Sequence, residues 1–319
     1  MISITGLGSG LDINGLVDSL VAAERAGSDL QLNRQSAKLQ AKFTALGSLK
    51  SALSTFQTSL AGLTSVSSFN LKTATSSDTS ALGVSADKSA VAGSYSIQVN
   101  QLATSQSLAS SAVADKDSTA IGTGTLTIRF GTTDYDSGTD TYNSFTENTQ
   151  SSPLILTIDS SNNTLQGIMN AINGADAGVQ ASIINDGTGY RLVMTSTQTG
   201  EENSLQVTVA DGDGNHTDLS GLSVLAFNAS ATNLDQTVAA QNANLVINGL
   251  NVTSNSNNVN SAITGLSLTL KKVTTGTVNV TVQSDITSVK DSVKKFVSGY
   301  NEFIKLANAL SAFNPDTRQ

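Results

Sequence analysis

The residues best placed for chemistry in this 319-residue chain are carboxylates gathered in Gly-, Ser- and Asn-rich stretches. Asp211-Gly-Asp-Gly-Asn-His-Thr-Asp218 sets oxygen ligands at alternate positions, as the opening of a calcium loop does. Such a loop needs a glycine at its sixth position and a bidentate glutamate at its twelfth. Here those positions hold His216 and Leu222, so the stretch reads as a polar surface turn. His216 is the single histidine, and no Ser or Cys motif beside it offers a nucleophile to activate. Asp134, Asp136 and Asp140 lie among Ser, Gly, Thr and Tyr, which is turn chemistry before it is an acid and base pair. Gly6, Gly8 and Gly10 resemble a phosphate loop only in their glycines, because no Lys-Ser/Thr follows them and no strand pattern precedes them. The chain is therefore read as a non-enzyme, with no catalytic, cofactor-binding or metal residues.

Composition narrows the class further. There is no Cys, so no disulfide and no thiol chemistry is available. A net charge of −8 opposes binding to a phosphate backbone, which excludes nucleic acid as a partner. No run approaches the roughly 20 apolar residues of a membrane span, so no membrane insertion is expected. The opening Met-Ile-Ser-Ile-Thr-Gly has neither a basic region nor an apolar core of a signal peptide, and the chain reads as cytosolic unless a dedicated exporter takes it. With no Trp and few other aromatics, the cores must be built from Leu, Val, Ile and Ala, which bury modest area per residue.

The elements that would position these turns follow from periodicity. Asp12 is a plausible N-cap, followed by Ile13, Leu16, Val17, Leu20 and Val21 at helical spacing. Leu32, Leu39, Leu46, Leu53 and Leu60 recur every seventh residue, with Leu49, Phe56 and Leu63 three places after the last three, an a/d heptad pattern. The earlier d positions are polar, Gln35 and Lys42, so the seam from Leu46 to Leu63 is expected to pack better. Near the far end, Val289, Phe296, Phe303 and Leu310 interleave with Val293, Tyr300 and Ala307, predicting a second amphipathic helix. Because both helices lie in one chain, pairing with each other is favoured over a seam between chains. Between them the period is two, as at Tyr95, Ile97, Val99 and at Leu205, Val207, Val209. Strand patterns over Leu82 to Leu102 and Asn244 to Val282 enclose a second β unit with Leu154 to Ile158, a short helix over Thr164 to Ile172, and a hairpin turning at Asn185 to Gly189. The expected fold is α+β and multidomain: a helical coiled-coil leg formed by the N- and C-terminal helices, with two nested β-rich head domains inserted between them.

Three stretches resemble parts of one family. Gly6-Leu-Gly-Ser-Gly-Leu-Asp-Ile-Asn14, running into Leu16-Val-Asp-Ser-Leu-Val-Ala-Ala-Glu-Arg25, is similar to the N-terminal signature of the flagellar filament-capping family, FliD. Gly93-Ser-Tyr-Ser-Ile-Gln-Val-Asn-Gln-Leu-Ala103 resembles the family's second block. Ala243-Asn-Leu-Val-Ile-Asn-Gly-Leu-Asn251 with Ile263-Thr-Gly-Leu-Ser-Leu-Thr-Leu270 resembles the flagellin hook IN repeat of hook-associated proteins.

The resemblance implies a division into D0 (1–40), D1 (41–72 plus 285–319, incomplete at its end), D2 (73–118 plus 232–284) and D3 (119–231, inserted in D2). It also implies a structural cap at the distal tip of the bacterial flagellum, promoting folding and insertion of exported flagellin and preventing its loss. The implied partners are flagellin, further copies in a homo-oligomeric ring, the hook-filament junction protein and a flagellar export chaperone, with secretion through the flagellar type III system. Family members continue past Tyr300-Asn-Glu-Phe-Ile304 to complete the leg, whereas this chain ends at Gln319, which leaves the stripe from Ile13 to Val21 without its implied helical partner. Ile13, Leu16, Val17, Leu20 and Val21 are the expected partner contacts. Two other readings stay open at this point, a tip adhesin binding host glycans through the β head and another hook-associated axial protein.

Overall fold

A computed structural model describes residues 12–64 and 69–312, and places them in a helical unit and a β unit. Helix α1 runs from Ile13 to Thr64 without a break, about 78 Å at 1.5 Å per residue. Asp12 caps it, accepting the Gly15 N–H on its carboxylate at 3.0 Å. Helix α3, Ile286–Ser311, is capped in the same way by Asp285, which accepts the Ser288 N–H at 2.9 Å. The two helices pack antiparallel, with Phe56 at the centre of the seam. Its ring lies 5.7 Å from Phe296, 6.0 Å from Tyr300 and 5.9 Å from Phe303, centroid to centroid.

The seam differs from the leucine heptad. The seam runs on α1 through the half-buried Ala45, Leu49, Ala52, Phe56, Ser59 and Leu63, and on α3 through the half-buried Val289, Ser292, Phe296, Phe303 and Leu306 with the buried Gly299 among them. Both rows alternate steps of three and four, and each interleaves large with small residues. The expected d row thus packs, while Leu46 and Leu53 of the expected a row stay 65% and 41% exposed. The cause is Gly299: a Cβ there would sit 3.0 Å from Ser59 Oγ, so the helices approach through small residues and turn the leucines aside.

The β unit, Lys72–Ser284, holds two hydrophobic cores. The outer body comprises β1 (Lys72–Ser76), β2 (Leu82–Ala86) and β3 (Gly93–Gln101), and after a long excursion β14 (Ala243–Ile247), β15 (Leu250–Ser254), β16 (Asn258–Ile263), β17 (Leu266–Leu270) and β18 (Val278–Ser284). Its sheets run β1-β18-β3-β14-β15 and β16-β17-β2, all antiparallel where paired. Alternating residues of both, among them Ile97, Val99, Leu245, Leu268 and Val280, close one aliphatic core.

The inner body comprises β4 (Ser107–Ala109), β5 (Gly124–Asp136), β6 (Thr141–Glu147), β7 (Leu154–Ile158), helix α2 (Leu165–Ala175), β8 (Val179–Asn185), β9 (Tyr190–Ser196), β10 (Ser204–Asp211), β11 (Phe227–Asn228), β12 (Ala231–Thr232) and β13 (Asp235–Val238). One sheet runs β12-β11-β10-β5-β6 with β7 also on β5, and the other β13-β4-β9-β8. Helix α2, capped by Thr164, buries Leu165, Ile168 and Ile172 against the inner core. Leu108 and Leu234 belong to that core, so the inner body begins before residue 119 and ends after residue 231.

Candidate functional site

The carboxylate clusters singled out in the sequence are spent on turn geometry. Asp211 is buried, and its Oδ2 accepts the Ser223 N–H at 2.7 Å. The Ser223 hydroxyl lies 2.9 Å from that same oxygen and 2.8 Å from Asp218 Oδ1. Asp213 and Asn215 accept the N–H groups of Asn215 and Thr217, and the Asp211 N–H donates to His216 Nδ1 at 3.0 Å. The hydroxyls of Ser220 and then Ser223 hold the Asp218 carboxyl below the usual carboxylate range. Among the described residues no group of three or more His, Asp or Glu converges as a metal site would require.

The second cluster sits in the β5–β6 hairpin. Asp136 accepts the Gly138 N–H and the Thr139 hydroxyl, which lower its pKa, while Asp140 takes a left-handed turn position with φ 51°. Burial, and then the bond from its hydroxyl to Asp140, push the Tyr135 phenol up to about 12. Tyr135 also packs edge-on against Phe227 at 4.9 Å, so the cluster anchors the hairpin to the inner core. Gly6, Gly8 and Gly10 lie outside the described residues.

The helices carry most of the large hydrophobic side chains left exposed among the described residues. Leu16, Val17, Leu20 and Val21 are solvent-exposed, Leu16 at 54% and Leu20 at 63%; the side chain of Ile13 is outside what the structure describes. A second apolar row begins where α1 gains its partner. Leu46 and Leu53 stand one residue beyond Ala45 and Ala52, and the exposed Val293 and Tyr300 stand one residue beyond Ser292 and Gly299. In an antiparallel pair those single steps turn both helices toward the same side, so the four side chains share one face of the hairpin. This face was missed in the sequence because small residues define it. The available signal was the heptad spacing of Ala45, Ala52 and Ser59, repeated by Ser292 and Gly299.

Comparison with known proteins points the same way along the chain. Residues 9–106 match the family model for the flagellar hook-associated protein 2 N-terminus, and residues 240–319 match that for its C-terminus. The B-type flagellar hook-associated protein 2 of Pseudomonas aeruginosa is 41% identical over 315 residues, covering 95% of this chain and 62% of that protein. The chain thus spans under two thirds of the length of this curated relative. The crystal structure of the flagellar cap protein FliD D1-D2-D3 domains from Escherichia coli superposes with a TM-score of 0.68 at 35% identity, covering 85% of this chain and 71% of that one. The crystal structure of FliD from Pseudomonas aeruginosa PAO1 gives 0.58 at 36%, covering 73% and 98%.

The chain is a helical pair with apolar rows exposed among the described residues, into which two antiparallel β bodies are inserted, their polar clusters spent on their own turns. The chain belongs to the flagellar hook-associated protein 2 family, FliD.

Proposed function

We propose that this chain caps the distal tip of the bacterial flagellar filament, promoting the folding and insertion of exported flagellin and preventing its loss. The observation that carries the reading is the extent of similarity to solved flagellar cap proteins, which runs through the helices and both β bodies rather than through one module. On this reading copies of the chain form a ring and the helices meet the filament end. Flagellin, the hook-filament junction protein and an export chaperone are the partners, and the flagellar type III system delivers the chain unfolded. The domain division follows, with D3 taken as 119–231 extended by β4 and β13, which share its core.

Ile13 and the exposed Leu16, Val17, Leu20 and Val21 are our choice for contact. Fully burying a Val or Leu side chain yields about 1.5–3 kcal/mol, and association itself costs about 4–15 kcal/mol. The four exposed ones are already about half covered and return about half of that each, so the row alone binds weakly, which suits a cap that must release each subunit and bind the next. No role in bond-making is assigned.

The test is tip labelling: antibody against the purified protein, imaged by electron microscopy on intact flagella, beside a deletion mutant assayed for secreted monomeric flagellin. Label at the distal tip with flagellin leaking from the mutant supports the cap. Label along the filament or at the hook, with intact filaments in the mutant, rejects it.

A further inference from the structure

Two chain segments cross between the β bodies, the stretch from β3 to β4 and the stretch from β13 to β14, and they bond to each other where Thr104 and Gln241 exchange backbone N–H and carbonyl groups at 3.0 and 3.2 Å. The same two segments are also joined by the Thr104 hydroxyl, which donates to the Ala239 carbonyl at 2.8 Å, and by the Gln101 side-chain amide, which donates to the Asn242 carbonyl at 3.0 Å. A third segment braces this neck. The loop 197–203 leaves β9 in the inner body, reaches the outer body and returns to β10.

Its contacts fall on both sides of the neck. The Gly200 N–H donates to the Thr104 carbonyl at 3.1 Å, and the Gln198 carbonyl accepts the Ser105 hydroxyl at 3.0 Å. Beyond the neck, the Glu201 N–H donates to Asn242 Oδ1 at 3.1 Å, and the Thr199 hydroxyl donates to the Asn255 carbonyl at 2.7 Å. The Asn255 side-chain amide in turn donates to Glu202 Oε1 at 2.5 Å. Gly200 is the point of closest approach: it is buried at φ +99°, and a Cβ there would lie 2.7–2.8 Å from the Cβ, Cα and carbonyl oxygen of Asn255. The loop is itself held in shape, since buried Asn203 donates its side-chain amide to the Thr199 carbonyl and the Ser204 hydroxyl donates to that of Glu201.

We propose that this loop is a strap that locks the joint between the two β bodies, so that they move as one piece and the neck is not a hinge. Together these bonds tie the loop to Thr104 and Ser105 on one crossing segment, to Asn242 on the other and to Asn255 in the outer body, so bending at the neck must break several of them at once. Glycine is required at residue 200 because both its dihedral and its clearance exclude a side chain. The inference concerns the joint alone and stands whether or not the chain caps a filament.

The test uses the absence of cysteine in the whole chain, which allows clean spin labelling. Cysteines replace two exposed strand residues, Gln180 in the inner body and Ser267 in the outer, and their separation is measured by double electron–electron resonance. The expected result is one narrow distance peak in the otherwise native chain. That peak is lost in Gly200→Ala, which drives the strap off Asn255, and in the milder pair Thr199→Val with Asn255→Ala, which removes bonds without a clash. Matched circular dichroism spectra show that the variants fold, and the milder pair carries the test if Gly200→Ala does not. A broad native distribution overturns the lock. A narrow peak that survives in every folded variant assigns the rigidity to the two crossing strands and overturns the strap.

Discussion

Gln106 has no solvent exposure, and its Oε1 accepts the Leu205 N–H while its backbone carbonyl accepts the Ser196 N–H, so one residue ties β9 to β10 where the strap begins and ends. Removing that acceptor leaves a buried N–H unsatisfied, at a cost of about 1–3 kcal/mol. Gln106→Ala should lower the urea midpoint of the β unit accordingly with an unchanged slope, whereas exposed Gln180→Ala should stay within about 0.5 kcal/mol. Charge at the residue scale is also turn chemistry. Asp186 accepts the Thr188 hydroxyl and Arg191 Nε, each at 2.6 Å, and these partners hold its carboxyl well below the ordinary value near 3.8. A group whose folded pKa is depressed contributes stability that is present above the ordinary value and lost as pH falls toward the folded one. Asp186→Asn should therefore flatten the acid side of the stability curve below about pH 4 while leaving its slope near neutrality unchanged, as read by denaturant melts across pH.

At the scale of elements, the two rows of α1 make opposite predictions. Phe56 sits among three aromatic rings of α3, and Phe56→Ala should cost the helical pair about 2–4 kcal/mol, the range for truncating a partly buried large side chain. Leu46, mostly exposed, should cost no more than about 0.5 kcal/mol when changed to Ala. The far-UV helical signal followed in urea distinguishes them; equal losses would mean that the leucine heptad, not the small-residue row, forms the seam. The existence of both helices was legible in the sequence because seven-residue repeats survive any rotation of the pair. Which face is buried was only half legible: the expected row Leu49, Phe56, Leu63 packs, but a close approach sets Ala52, Ser59 and Gly299 beside it in place of Leu46 and Leu53, and such small residues leave no mark in a hydropathy pattern. Strands behaved similarly. Alternation announced β3 and β10, but pairing of β3 with β14 and β18 joins residues far apart in sequence, and no local signal encodes such a partner.

For the whole molecule, the resemblance carried by Gly6 to Arg25, Gly93 to Ala103 and Ala243 to Leu270 located the family, while the contact surface rests on what the helices leave open. Leu16 and Leu20 lie on a stretch of α1 beyond the reach of α3 and stand mostly in solvent. Changing both to Ser removes apolar area without unseating any packed neighbour and costs the helix only about 0.5 kcal/mol per residue in propensity. A cell carrying Leu16→Ser with Leu20→Ser should therefore make a folded, normally abundant protein, with circular dichroism and melting close to the parent. If this row holds the cap to the filament end or to its neighbours, such cells should nevertheless shed monomeric flagellin into the medium as a deletion strain does, and swim poorly. The matched control is Leu46→Ser with Leu53→Ser, which probes the second open face. Leakage from the first pair alone assigns capping contacts to the N-terminal row, and leakage from the second alone moves them to the face shared with Val293 and Tyr300. Parental retention of flagellin by both would leave neither helical face as the contact and direct the search to the β bodies.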